Sequence, residues 1–230
     1  MNKQEMDRLI GEAVRDADLF PEEIPQIDLY LDQITSLVAD KRREASEHFA
    51  DRILTKTMIN NYSKDGLLSP IKGKKYSKEH ILQMLLVYEM KNTLSIGEIK
   101  RILQNVYRFP DYDAAMLERI YLRYLKIKAM ERDEAVRTVE YFAQRSDLDP
   151  RSEEDFLTLL LGLSAMSSYL KDTVQVLLEA RYPDLGAEKT REEQEKKEES
   201  KRIKAEQKAE KQAAKSKESK KESKEAEDKK

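Results

Sequence analysis

MINNYSKDGLLSPIKGKKYS, residues 58–77, gathers Lys64, Lys72, Lys74 and Lys75 against a single aspartate, Asp65, in a chain whose net charge is −2. Read with the preceding Thr55, Lys56 and Thr57, the stretch divides into a short helix, a glycine stop and a lysine-rich turn. Thr55 is a good N-cap, because its hydroxyl can accept an orphan backbone N–H of the first turn. The helix runs over about residues 56–65 and ends at Gly66, a residue free to take the left-handed conformation that closes a helix. On a 3.6-residue wheel Met58, Ile59 and Tyr62 fall together, while Lys56, Asn60 and Lys64 line the other side with Thr57 and Asn61 beside them. One face is built for a core and the other for a partner rich in donors and acceptors. Pro70 and Gly73 then bracket a tight turn between two short segments that predict a small hairpin, with Lys72, Lys74 and Lys75 at its tip.

The charge balance around this stretch is uneven. Residues 1–51 carry 6 basic and 13 acidic groups, residues 52–108 carry 11 and 4, residues 109–186 carry 10 and 15, and residues 187–230 carry 16 and 13. A cationic segment of net +7 thus lies between acidic ones, an asymmetry that suits a polyanion and limits indiscriminate adhesion. There are no cysteines among the 230 residues, which removes disulfides, thiolate metal sites and a cysteine nucleophile and fits a cytoplasmic chain. The N-terminus lacks the apolar run of a secretory signal. The longest uncharged run, Phe156 to Leu170, is shorter than the roughly 20 residues that span a bilayer, so no membrane association is expected.

Working outward, residues 4–16 predict a polar helix and FPEEIPQI a link; Asp28 can cap a second helix running to about residue 51. Ser77 opens a helix over about 78–92, and SIGE, Ser95 to Glu98, is a capping box for the next. After Pro110 a long helix covers about 113–145. Ser152 caps a last one, about 153–181, in which Phe156, Leu160, Leu163, Ser167, Leu170, Val174 and Leu177 alternate in steps of four and three, a seam for antiparallel packing. The tail, 187–230, is charged and of low complexity, and disorder is expected there. The divisions that follow are 1–27, an N-terminal helix and linker; 28–108, the cationic domain; 109–186, a helical region; and 187–230, the tail.

The order of these pieces, a threonine-capped helix, DGLLSP, a turn, YS, an aliphatic helix and LSIGEIKRIL, resembles the winged helix-turn-helix domain of MerR-type transcription regulators over about residues 53–104. A further similarity, reaching upstream over IPQIDLYLDQI, is to a group of bacterial proteins known only as a domain of unknown function. The resemblance implies an all-α, mainly helical fold with a small wing hairpin, followed by long C-terminal helices. Carried over, the recognition helix falls on Lys56 to Lys64, with Lys56, Thr57, Asn60, Asn61 and Lys64 facing bases and phosphates behind the cap Thr55. Asn60 and Asn61 stand near the places where MerR proteins usually have arginine and tyrosine, and Tyr62 takes the second aromatic place. The wing falls on Ile71 to Tyr76, several residues shorter than usual, and brings Lys72, Lys74, Lys75 and Tyr76 to the candidate surface.

The chemistry of double-stranded DNA agrees with that reading. The major groove admits one helix, asparagine can pair bidentately with adenine, and lysine suits guanine or phosphate. The expectation is therefore a DNA-binding transcription regulator, dimeric through the helices of 113–181. A small-molecule effector, if there is one, would sit among Tyr121, Tyr124, Tyr141, Phe142 and Tyr169, although such aromatics are more often plain core. The rival reading is a helical adaptor whose seam, 156–177, binds a partner's helix without sequence-specific DNA binding. An enzyme is not expected. His48 and His80 lack ligand spacing, no phosphate-cradling glycine loop occurs, and neither a catalytic group, a cofactor nor a metal site is assigned.

Overall fold

Side-chain caps fix where the helices begin. In the computed structural model, which describes residues 2–47, 53–71, 73–149 and 151–184, the Asn2 side chain accepts the Glu5 N–H at 2.8 Å and opens α1, Lys3–Val14. A single 3-10 turn, Pro21–Glu23, leads to the two-residue strand β1, Leu29–Tyr30, and directly into α2, Leu31–Arg42. Asp28 does not cap α2. Tyr30 occupies the cap position, and its N–H donates to Gln33 Oε1 at 2.8 Å. α2 also stops at Arg42 and the chain turns over 43–46, so the helix does not run on to about residue 51 as the sequence suggested; residues 48–52 lie outside the described residues.

The central helices follow the local signals closely. α3 is Lys56–Lys64, with the Met58 N–H donating to Thr55 Oγ1 at 3.2 Å, and Gly66 follows it at φ 70°. β2 is Lys75–Tyr76, α4 Lys78–Met90 and α5 Ile96–Tyr107. The capping box at the start of α5 closes reciprocally: Ser95 N–H donates to Glu98 Oε2 at 2.7 Å, and Glu98 N–H donates to Ser95 Oγ at 3.3 Å. Those bonds from Ser95 hold the Glu98 carboxyl below its usual pKa.

The described residues are thus mainly helical, with one small antiparallel sheet. The strand that pairs with β2 is β1, in the register Leu29 opposite Tyr76 and Tyr30 opposite Lys75. The segment just before the turn, proposed from sequence as the hairpin partner, is not in the sheet. Opposed residues share a face, so Leu29 and Tyr76 turn inward and are buried, while Tyr30 and Lys75 turn to solvent.

One core joins these elements. Ile34 of α2, Ile59 of α3, Leu67, Ile81 and Met84 of α4, Ile99 of α5, and Leu117 and Tyr121 of the next helix are fully buried in it. Gln83, on α4, is fully buried with them. Its amide nitrogen donates to Ser69 Oγ at 2.7 Å, and its oxygen accepts the Ser69 N–H at 2.9 Å. The Tyr107 hydroxyl donates to the Leu67 carbonyl at 3.1 Å. These bonds pin the LLSP loop between α3 and β2, because a buried amide left unpaired would cost about 1–3 kcal/mol.

Two long helices complete the structure: α6, Ala114–Arg145, and α7, Glu153–Arg181. They meet where Gly162 comes under the ring of Phe142, so closely that a Cβ on Gly162 would stand 2.3 Å from Phe142 Cζ. In an open helix Gly→Ala gains up to about 1 kcal/mol. Here overpacking of about 1–3 kcal/mol should outweigh that gain. Gly162→Ala is therefore expected to lower the thermal midpoint by about 4 °C, and Phe142→Leu in the same chain should restore it. A raised midpoint for the single variant would refute the close packing. Within α7 only Leu159 and Leu178 are buried. Phe156 and Leu163 are half-buried, and Leu160, Leu170, Val174 and Leu177 are exposed, so the seam is not closed within the chain. By its internal contacts the chain divides after Tyr182. The expected tail, 187–230, lies outside the described residues.

Candidate nucleic-acid interface

The inner face of α3 is anchored by Ile59 and Tyr62, whose exposures are 0% and 3%. That anchoring leaves Lys56, Thr57, Asn60, Asn61 and Lys64 exposed along the outer side, with Thr55 exposed at the cap. Among the described residues both amides stay exposed. One acidic group does reach the helix: Asp32, in the first turn of α2, pairs with the Lys56 ammonium. Both partners are largely exposed, so the pair is weak and a phosphate could displace the carboxylate.

Two residues that the resemblance brings to this surface, Tyr62 and Tyr76, are buried instead, Tyr62 on the core side where the helical wheel sets it. Tyr62 is core, and burial pushes its phenol up to about 12, with a smaller contribution from the Tyr88 ring's hydroxyl. The Tyr62 hydroxyl has no hydrogen-bond partner among the described residues. Tyr76 is 8% exposed and packs edge-on against His80, ring centroids 6.1 Å apart. The cause in both cases is amphipathic geometry: each aromatic supplies apolar area that the small core needs, and the register of β1 with β2 fixes Tyr76 inward. Neither can offer a ring face to a ligand.

Sequence reasoning missed Tyr30. It is half exposed beside the turn, and the Lys75 ammonium lies 5.0 Å above its ring centroid. The alternation in IDLYL, with Leu29 inward and Tyr30 outward, was the available signal, but nothing local says which strand it faces. Lys74 and Lys75 are exposed at the turn, with Gly73 at φ 74° between them and residue 72. Lys72 itself lies outside the described residues. At the other end of α3, the Lys100 side chain approaches Gly66 to 3.9 Å of where a Cβ would stand, adding a cation near Lys64. The outcome is a cationic surface with two adjacent free amides, flanked by an aromatic-backed lysine.

Residues 20–124 match the family model described as Domain of unknown function (DUF1836). The matched segment holds β1, α2, α3, the turn, α4 and α5, and so contains the whole of this surface and none of α7. No curated protein and no solved structure matches the chain. The family description assigns neither a fold nor an activity.

The other sequence expectations fare as follows. Among the described residues no group of three or more histidine, aspartate or glutamate side chains is arranged to hold a metal ion, and no described helix is long and apolar enough to cross a membrane. His80 is a capping residue, its Nδ1 accepting the Ser77 N–H at 3.1 Å, while His48 lies outside the described residues. The five aromatics suggested for an effector do not share a cavity. Tyr121 is buried and donates to the Leu19 carbonyl at 3.0 Å, Tyr124 donates to Glu89 at 2.9 Å, Phe142 covers Gly162, and Tyr141 and Tyr169 face solvent.

Proposed function

We propose that the chain is a non-enzymatic, DNA-binding transcription regulator of MerR-like type, seating α3 in the major groove with Lys74 and Lys75 on the flanking phosphates. The observation that carries this reading is the pairing of a locked inner face on α3 with an open outer face of Asn60, Asn61 and Lys64. A helix held by its buried side presents amides at fixed angles, which is what base-edge recognition requires.

Homodimerisation through the long helices belongs to the same proposal. One small module gives modest affinity, and two related by a two-fold axis read a palindrome. Its support is a stripe on α7, Leu157, Leu161, Tyr169 and Val176, exposed by 57%, 63%, 72% and 68%. Apolar side chains so exposed on one helix commonly mark an interface. The unclosed seam on the other side of α7, with Leu160, Leu170, Val174 and Leu177 exposed, favours the second reading, an adaptor that binds another protein's helix.

Selection of bound sequences from a random duplex library separates the two. The regulator should enrich a palindromic site with half-sites about one helical turn apart. Recovery of unenriched sequence, with affinity vanishing at moderate salt, would leave only the adaptor.

A further inference from the structure

We propose that the trough between α7 and the turn joining α4 to α5 is a binding site for an amphipathic organic acid, an apolar body carrying one carboxylate. The trough has a volume of about 450 Å³, within the range of small-molecule sites. One wall is apolar, Met166, Leu170 and Val174 of α7; the other is the polar turn residues Asn92 and Thr93. The charge that lines it is Lys171.

Two structural facts make this more than an open apolar face. α7 is fastened on both sides of the trough. Toward its start Gly162 is locked under Phe142; toward its end Gln175 donates to Glu98 at 3.3 Å and Arg101 pairs with Glu179 at 2.6 Å. These contacts hold α7 on either side of the gap beneath its middle. The second fact is chemical. The side chains of Asn92, Thr93 and Lys171 make no hydrogen bond or ion pair among the described residues. All three line the trough and are exposed, so their polar atoms are open to a ligand.

The headgroup follows from charge. Lys171 favours an anion, and one ammonium matches one carboxylate, whereas a phosphate monoester brings a second charge with no cation to meet it. Asn92 and Thr93 supply neutral donors to the remaining carboxylate lone pairs. The body lies along Met166, Leu170 and Val174, replacing water on that wall. The site is distinct from the stripe of Leu157, Leu161, Tyr169 and Val176, which points to nearly the opposite side of α7 on a 3.6-residue wheel. It stands whether or not α3 binds DNA.

The test uses the full chain, calorimetric titration and the methyl resonance of Met166, with decanoate below its micelle concentration as probe and decyltrimethylammonium as the cationic control. Decanoate should bind saturably and shift Met166. Lys171→Met should weaken decanoate about tenfold or more, the scale of one lost charge-assisted contact. Ser167→Phe, an exposed position of the same helix, should fill the trough and abolish binding without unfolding. Equal binding of decyltrimethylammonium, or a decanoate affinity indifferent to both variants, would overturn the proposal. So would absence of decanoate binding together with a change of oligomeric state in Ser167→Phe, which would make the trough a protein interface.

Discussion

Replacing Asn60 and Asn61 by alanine should weaken binding to the selected duplex by about 3 kcal/mol, roughly 150-fold, at fixed salt. That figure takes bidentate amide–base contacts at the low end of about 1–3 kcal/mol each, plus the cost of unpaired base edges. The fold should not notice, because both side chains are exposed and exposed substitutions usually fall within about 0.5 kcal/mol. Lys64→Ala should act differently. On the proposed reading Lys64 meets a phosphate, so its loss should lower affinity for every sequence and reduce the slope of log affinity against log salt by about 1. Tyr62→Phe is the control. It deletes a buried hydroxyl without a described partner, so binding should be unchanged and stability equal or slightly higher. Fluorescence anisotropy against salt, with urea unfolding of each variant, reads each of these effects. Full affinity in the double-alanine chain would remove α3 from the interface.

What was legible in the sequence was local. Thr55, Gly66, Ser95 with Glu98, and Ser152 act within one helical turn of themselves, so their roles can be read from spacing alone, and the corresponding helix ends are where they were expected. The amphipathic split of α3 was legible for the same reason. Pairings across the chain were not. The partner of Lys75–Tyr76 is Leu29–Tyr30, and α2, α3 and the segments that join them lie between. A two-residue strand carries too little pattern to announce a register, so Tyr76 was placed on the surface and Tyr30 was overlooked. Gln83 was invisible in another way. A glutamine on a helix normally points to water, and only the return of the LLSP loop onto α4 gives it the partners that permit burial.

The least legible feature is a charge cluster drawn from four separate segments, and breaking it should have the largest effect on stability. The Lys128 ammonium of α6 pairs with Asp16, with Asp18 at 2.6 Å and with Glu89 of α4 at 3.2 Å. Arg132 pairs with the same two aspartates, and Arg42 of α2 reaches Glu89 at 3.3 Å. The aspartate side chains are 11% exposed, so their charges cannot fall back on water. Lys128→Met should therefore cost about 3 kcal/mol, because it leaves three desolvated carboxylates to share Arg132 and Arg42. Arg137→Met, which breaks a solvated pair with Glu134, should cost less than about 1 kcal/mol.

Titration gives the cluster a second signature. Burial pushes the Asp16 carboxyl up, but hydrogen bonds and charges from Lys128 and Arg132 prevail and hold it below its ordinary value. A carboxyl depressed by folding contributes stability above its unfolded pKa of about 4, and that contribution is lost as pH falls through the folded value. Lys128 runs the other way. Burial lowers its pKa, but Glu89, Asp16 and Asp18 raise it further, so its contribution is complete below the unfolded value of about 10.4 and is lost as pH rises through the folded one. Wild-type urea midpoints should therefore fall on both the acid and the alkaline limbs. In Lys128→Met both limbs should become shallower without vanishing, since the buried tyrosines, their phenols raised by burial, keep part of the alkaline limb and Arg132 still serves Asp16. Identical limbs in the two chains would mean that the cluster does not hold the N-terminal arm, α2, α4 and α6 together.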